Sequence, residues 1–255
     1  MAELAIDNNQ HLYYELIEGD PRQPYLVFLH EGLGCSAMWK QFPLQLCHLT
    51  SCPGLLHDRL GYGNSSPLAE PRTITYVHDY ALIELPELLS RVTPEAPHIL
   101  IGHSDGGSIA LIYGAQNPPQ LKGIITEAAH IFIEPITAEG IRRADQEFEA
   151  GSFQALYKYH GDKTQQIFKA WSQTWLSAQF LNWNIENLLS SVVQPMLVLQ
   201  GTNDEYATRR QFDLICTKSA GPSTSYLIEQ CGHTPHKDNP DQVLQLMAQF
   251  IRSIV

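Results

Sequence analysis

His98-Ile-Leu-Ile-Gly102-His103-Ser104-Asp105-Gly106-Gly107, continued by the helical pattern Ser108 to Gln116, is the stretch on which the fold turns. His98 to Ile101 reads as a buried strand, because a strand covered on both faces shows a continuous apolar run rather than alternation. Gly102-x-Ser104-x-Gly106 fits G-x-S-x-G, in which a sharp strand-to-helix turn lifts the serine hydroxyl clear of the backbone. Glycines two residues before and after the serine leave room for that turn. Chance supplies such a match in roughly one chain in ten of this length, so the flanking strand and helix carry the weight.

Outward from this point the pattern alternates strand and helix, as expected of a mostly parallel sheet flanked by helices. Upstream, His11 to Ile17, Tyr25 to Leu29 and Gly54 to His57 read as strands, and Thr75 to Val92 as a helix. Downstream, Leu121 to Thr126 is a strand, and then the alternation stops for about 65 residues. From Ile136 to about Leu189 the pattern is helical throughout and carries Phe168, Trp171, Trp175 and Trp183. Strands resume at Met196 to Leu199 and Ser225 to Ile228, with helices at Arg209 to Lys218 and Asp241 to Ile254. The expected organisation is an α/β core of residues 1–128 and 190–255, with a helical cap, 129–189, inserted after the sixth strand as a lid. Trp171 and Trp175 can serve both as packing and as a substrate wall.

Sixteen Lys and Arg against 27 Asp and Glu give a net charge of −11, with no basic run, which argues against nucleic acid or an anionic membrane as partner. Five cysteines without C-x-x-C or Cys/His ligand spacing argue against a disulfide framework and a structural zinc site. With no signal-like N-terminus and no apolar run of about 18 residues, a soluble cytoplasmic protein is expected. The sequence leaves a homo-oligomer open.

A serine hydroxyl is a weak nucleophile and needs a base, and the base needs an orienting group. Asp204, in Gly201-Thr202-Asn203-Asp204 after one strand, is the expected acid, with Glu205 or Asp213 as alternatives. His233, in Cys231-Gly232-His233 after the last strand, is the expected base, with His236 as the alternative. Two N–H donors should meet an oxyanion: that of Asp105, after the nucleophile, and that of Gly32 in the loop His30-Glu31-Gly32-Leu33-Gly34, with Leu33 in reserve. His30 is expected to tie this loop by hydrogen bonds, and the other histidines to be structural or exposed.

With its order Ser104, Asp204, His233, the chain resembles an α/β-hydrolase fold protein with a helical cap. The resemblance rests on the oxyanion loop, on Asp58-Arg59-Leu60-Gly61-Tyr62-Gly63-Asn64-Ser65, similar to D-x-R-G-x-G-x-S with the Arg displaced, on the elbow, and on Gly201 to Asp204 and Gly232-His233. Glu31 departs from the family's usual His-Gly. The resemblance implies a serine hydrolase acting on a small molecule without metal or organic cofactor, and leaves the bond cleaved open. Glu31, Leu33, Trp171 and Trp175 are the expected substrate contacts. Members acting on carboxylates are expected to carry pocket arginines, for which only Arg142 and Arg143 offer themselves. The elbow Ser-Asp-Gly-Gly also resembles biphenyl hydrolase-like amino acid ester hydrolases, which would make Asp105 an amine anchor. Otherwise Asp105 caps its helix or points to solvent. The expected substrate is a neutral or amine-bearing ester. A carbon–carbon hydrolase, a menaquinone-pathway-type lyase and a non-catalytic receptor are the rivals on the same fold.

Overall fold

Strand β5 (His98–His103) is buried at every position and lies within an eight-stranded sheet of order β1-β2-β4-β3-β5-β6-β7-β8. The computed structural model describes residues 2–6 and 9–255. The other strands are β1 (Ala2–Ile6), β2 (Gln10–Ile17), β3 (Tyr25–Leu29), β4 (Gly54–Asp58), β6 (Leu121–Glu127), β7 (Met196–Gly201) and β8 (Ser223–Ile228). From β4 to β8 the neighbours run parallel, while β2 pairs antiparallel with both β1 and β4.

Alternate side chains of the central strands enter two separate cores, which is why their sequences are continuously apolar. Leu26, Phe28, Ile99 and Ile101 pack with Leu46 of α1 (Phe42–Thr50) and Met247 of the C-terminal helix. Val27, Leu29 and Leu100 face the other way, toward Leu85, Ile109 and Ile112. The flanking helices are α2 (Tyr76–Asp79), α3 (Leu85–Val92), α4 (Asp105–Gly114), α8 (Arg209–Lys218), α9 (Pro235–Asp238) and α10 (Pro240–Ile254).

The helix expected from Thr75 to Val92 is interrupted by a π-turn at Tyr80–Glu84. Pro86 sits just beyond it; its ring cannot donate and crowds the carbonyl four residues back, so the ladder widens there. Two elements were not expected. Edge strand β1 alternates half-buried and exposed residues without a strongly apolar face, and α1 buries Phe42, Leu46, Cys47 and Thr50 along a stripe interleaved with His and Gln.

Between β6 and β7 the chain forms α5 (Pro135–Glu149), α6 (Tyr157–His160), α7 (Thr164–Leu176) and short 3₁₀ turns. Helices α5 and α7 pack through Phe148 and Phe168, whose rings stack at 3.9 Å. Glu134 caps α5 reciprocally with Thr137 and accepts from the Thr208 N–H and hydroxyl, joining the starts of α5 and α8. No helix among the described residues is long and apolar enough to cross a membrane.

Candidate active site

Ser104 stands at the turn between β5 and α4 with φ 53° and ψ −115°, a conformation that L-residues avoid. The two motif glycines explain how the turn is tolerated. A Cβ on Gly102 would lie 2.2 Å from the Gly106 carbonyl oxygen, and one on Gly106 would lie 2.0 Å from that of Leu29.

The structure brings Ser104, His233 and Asp204 together from the ends of three strands. Ser104 Oγ lies 2.9 Å from His233 Nε2, and His233 Nδ1 lies 2.8 Å from Asp204 Oδ1. The carboxylate fixes the tautomer: Nδ1 donates to Asp204, leaving Nε2 to accept from the serine. Asp204 is itself pinned by the N–H groups of Tyr206 and Ala207. The His233 backbone is held too, its N–H donating to Glu205 and its carbonyl accepting from His103 Nε2 at 2.7 Å. Burial alone would push the His233 imidazole down, but Asp204, followed by Glu205 and Glu31, brings it above its usual value. Burial likewise works against the Asp204 carboxylate, yet its bond and attraction to His233 keep it below the usual range. His236 is elsewhere, buried and bonded to Glu127 through Nδ1.

The Gly32 and Asp105 amides engage no partner among the described residues, and both residues line the cavity at Ser104. Leu33 is excluded as a reserve donor, because its N–H already donates to Glu31 Oε2 at 2.8 Å. A Cβ on Gly32 would come within 2.6 Å of Trp171 Nε1, so the loop backbone approaches α7 as only glycine permits. His30 ties the loop, accepting from the Arg59 N–H at Nε2 and meeting the Glu31 carbonyl at Nδ1.

The cavity holds about 110 Å³, room for roughly seven to ten water-sized groups. Glu31, Leu33, Trp171 and Trp175 all line it, with Ser104 and His233 at its base. Neither Lys nor Arg is among the lining residues; Arg142 and Arg143 are exposed on α5.

Two expectations need correction. Asp105 neither points to solvent nor stands free as an amine anchor: its side chain is 1% exposed, accepts from the Tyr76 hydroxyl at 2.8 Å and lies 3.9 Å from Arg59 Nη1. Burial raises its carboxyl while Arg59 and Tyr76 oppose that rise. Trp175 Nε1 in turn donates to the Tyr76 hydroxyl, linking α7 to the residue after Ser104. The second correction concerns His130, which reaches the cavity from the loop after β6. Sequence reasoning passed over it, and its place at a strand's carboxyl end, the rim where sites in such sheets gather, was the available signal.

A mostly parallel sheet with a strained serine turn at its rim and an imidazole–carboxylate pair facing it is an architecture of the α/β-hydrolase class. The chain belongs to the alpha/beta hydrolase family, whose model matches residues 26–246. It is 26% identical to a 2-succinyl-6-hydroxy-2,4-cyclohexadiene-1-carboxylate synthase of Klebsiella pneumoniae (strain 342), with 98% of each chain covered. It is 23% identical to a proline iminopeptidase of Saccharolobus solfataricus, with 96% of this chain and 90% of the relative covered. In fold it is similar to the 2-hydroxy-6-oxo-6-phenylhexa-2,4-dienoate hydrolase of Rhodococcus sp. strain RHA1, with TM-score 0.78 at 14% identity over 95% of this chain and 94% of that one.

Proposed function

We propose that this protein is a serine hydrolase that cleaves a small, uncharged carboxylic ester through an acyl-enzyme. The observation that carries the reading is the Ser104–His233–Asp204 chain opening into a cavity that has two free amides and no cationic side chain. In this mechanism Ser104 Oγ attacks the ester carbonyl carbon while His233 Nε2 takes its proton. The developing oxyanion is met by the Gly32 and Asp105 amides, the second also favoured by the N-terminus of α4. As the carbon–oxygen bond of the leaving alcohol breaks, His233 returns the proton to it. Water then repeats the sequence on the acyl-enzyme, giving the free acid and Ser104.

The lining speaks against a carboxylate substrate, although one relative is named for making a carboxylate. An unpartnered substrate carboxylate roughly 6 Å from Glu31 would be disfavoured by about 3 kcal/mol at an effective dielectric of about 20. Residues 129–189 would act as the cap over a core of 1–128 and 190–255. His160 and Lys163 tether it, through bonds to Leu33 and Gly63 and to three carbonyls of the 62–65 loop. Glu31 supports a second reading, in which the ester carries an amine that pairs with this carboxylate; kcat/KM for an amino acid ester above that for its N-acetyl form would favour it.

A fluorophosphonate probe should label Ser104, and Ser104→Ala should abolish labelling and lower kcat by about 10³-fold or more with the fold intact. Among p-nitrophenyl esters, short neutral acyl groups should be turned over fastest, and the hemisuccinate about 100-fold more slowly than the butyrate. An unlabelled Ser104, or a preference for the hemisuccinate, contradicts the proposal.

A further inference from the structure

Besides His233, two more imidazoles line the cavity at Ser104: His103, whose Nε2 is taken up by the His233 carbonyl, and His130, which has no task in the reaction as described. His130 follows β6 by three residues, and its backbone carbonyl is fixed by the Ser108 hydroxyl at 2.6 Å. The residue is 3% exposed, and its ring stands edge-on to Trp175 at 5.3 Å and 5.6 Å from the His233 ring. Its Nδ1 is buried without a hydrogen-bond partner, although the ring lines the cavity. Nε2 is then the nitrogen left to meet a bound molecule. A polar ring held this firmly against Trp175 costs free energy unless something in the cavity bonds to it.

Topology says which part of a substrate that would be. The sheet order places β6 on the side of β5 away from β3, and β3 carries the loop with the Gly32 amide. An ester whose carbonyl oxygen points to Gly32 and Asp105 therefore extends its alcohol portion toward His130. That side also holds His233, which must reach the leaving oxygen. Burial and the neighbouring His233 push the His130 imidazole down to about 3, so it is neutral at working pH. A neutral imidazole offers one donor and one acceptor nitrogen, and a hydroxyl can bond to Nε2 in either tautomer.

We propose that His130 is a specificity-determining residue that hydrogen-bonds a hydroxyl on the alcohol portion of the substrate, so that the substrate class is the hydroxyalkyl esters of short acids. This rests on the serine-hydrolase reading above and narrows it.

The test compares 2-hydroxyethyl acetate with n-propyl acetate, which differ by a hydroxyl in place of a methyl. For the wild-type protein kcat/KM should favour the hydroxyethyl ester by about tenfold. His130→Phe should bring the ratio close to one, and His130→Gln, which keeps a hydrogen-bonding group, should retain much of it. Labelling of Ser104 by fluorophosphonate in both variants shows that the site is assembled. A wild-type ratio near one overturns the proposal. So does a His130→Phe protein that is slower on both esters with the ratio preserved, the mark of a merely structural ring. Failure of the wild-type Ser104 to label would instead strike the hydrolase reading itself.

Discussion

Replacing Tyr76 by Phe removes one oxygen atom that joins the helical segment to the nucleophile turn. That oxygen donates to the Asp105 carboxylate and accepts from Trp175 Nε1, with all three residues buried. Without it Asp105 keeps only Arg59, 3.9 Å away and beyond hydrogen-bond reach, and the indole N–H of Trp175 has no acceptor. A hydrogen bond to a charged group contributes about 1.5–3 kcal/mol net, and an orphaned buried donor costs about 1–3. The two share an atom and do not add in full, so a loss of about 3 kcal/mol is expected. At an m-value of roughly 3 kcal/mol/M, the urea midpoint should fall by about 1 M. The loss should reach the chemistry, because in the proposed mechanism the main chain of Asp105 supplies one oxyanion donor; kcat on a short ester should drop about 10-fold or more, with a smaller change in KM. A Tyr76→Phe protein that unfolds at the wild-type urea concentration and turns over at the wild-type rate would refute the link between α7 and the elbow.

Gly32→Ala places a methyl within 2.6 Å of Trp171 Nε1, so the loop must shift. Loss of one oxyanion donor predicts a kcat about 10²–10³-fold lower with Ser104 still able to label, and an unchanged kcat would remove Gly32 from the mechanism. The base must be neutral to act and His233 is raised above its usual value, so the acid limb of kcat/KM should have its midpoint above about 6.5. Glu205→Gln removes one of the charges that raise it and should move that limb to lower pH; a shift upward contradicts the assignment. His57 and His130 are each pushed down to about 3 by burial, so the unfolded chain takes up their protons near 6.5 while the native state does not. Between pH 7.5 and 5.5 each should cost about 1.4 kcal/mol of stability, about 3 together. His233, with its raised value, and Glu84, pushed up to about 8 by burial, contribute in the opposite sense, while the buried His30 and His103, also pushed down, add to the loss and leave its sign unchanged. Urea melts across that range should show stability falling as pH falls, and a flat or rising profile would show these rings to be solvated.

The sequence carried the sheet because its central strands are buried on both faces, and it pointed to Ser104, Asp204 and His233, which the fold brings together, because each follows such a strand at the same rim. Gly102 and Gly106 were readable for a stereochemical reason that the turn confirms atom by atom. What stayed hidden has no local signature. Strand β1 sits at the sheet's edge with little apolar contrast, and the π-turn before Pro86 depends on how the helix accommodates a missing donor. The partners of Asp105 come from positions 59 and 76, and no periodicity links them to position 105. Burial of an acid beside an arginine is a tertiary fact, so a sequence reading sees only an acid beside a nucleophile.

Hydrogen-bonding in the loop supports the proposed oxyanion donors. In the loop 31–34 the two main-chain donors that follow Gly32 and the first three carbonyls all have partners. The Glu31 carbonyl accepts from Gly34 N–H and Arg59 Nη2, the Gly32 carbonyl from the Tyr62 hydroxyl, and the Leu33 carbonyl from His160 Nε2, while the Leu33 N–H donates to Glu31. Beyond the loop itself these partners come from two separate parts of the chain, the 59–62 turn and His160 of the helical segment, so their convergence is more than local turn geometry requires. Buried backbone donors are rarely left unpaired, yet the N–H of the buried Gly32, which lines the cavity with Ser104 and Asp105, is unpaired among the described residues. Holding one donor open while its neighbours are fixed is the arrangement needed to meet charge that exists only in passing, because the donor does not have to reorient when that charge forms.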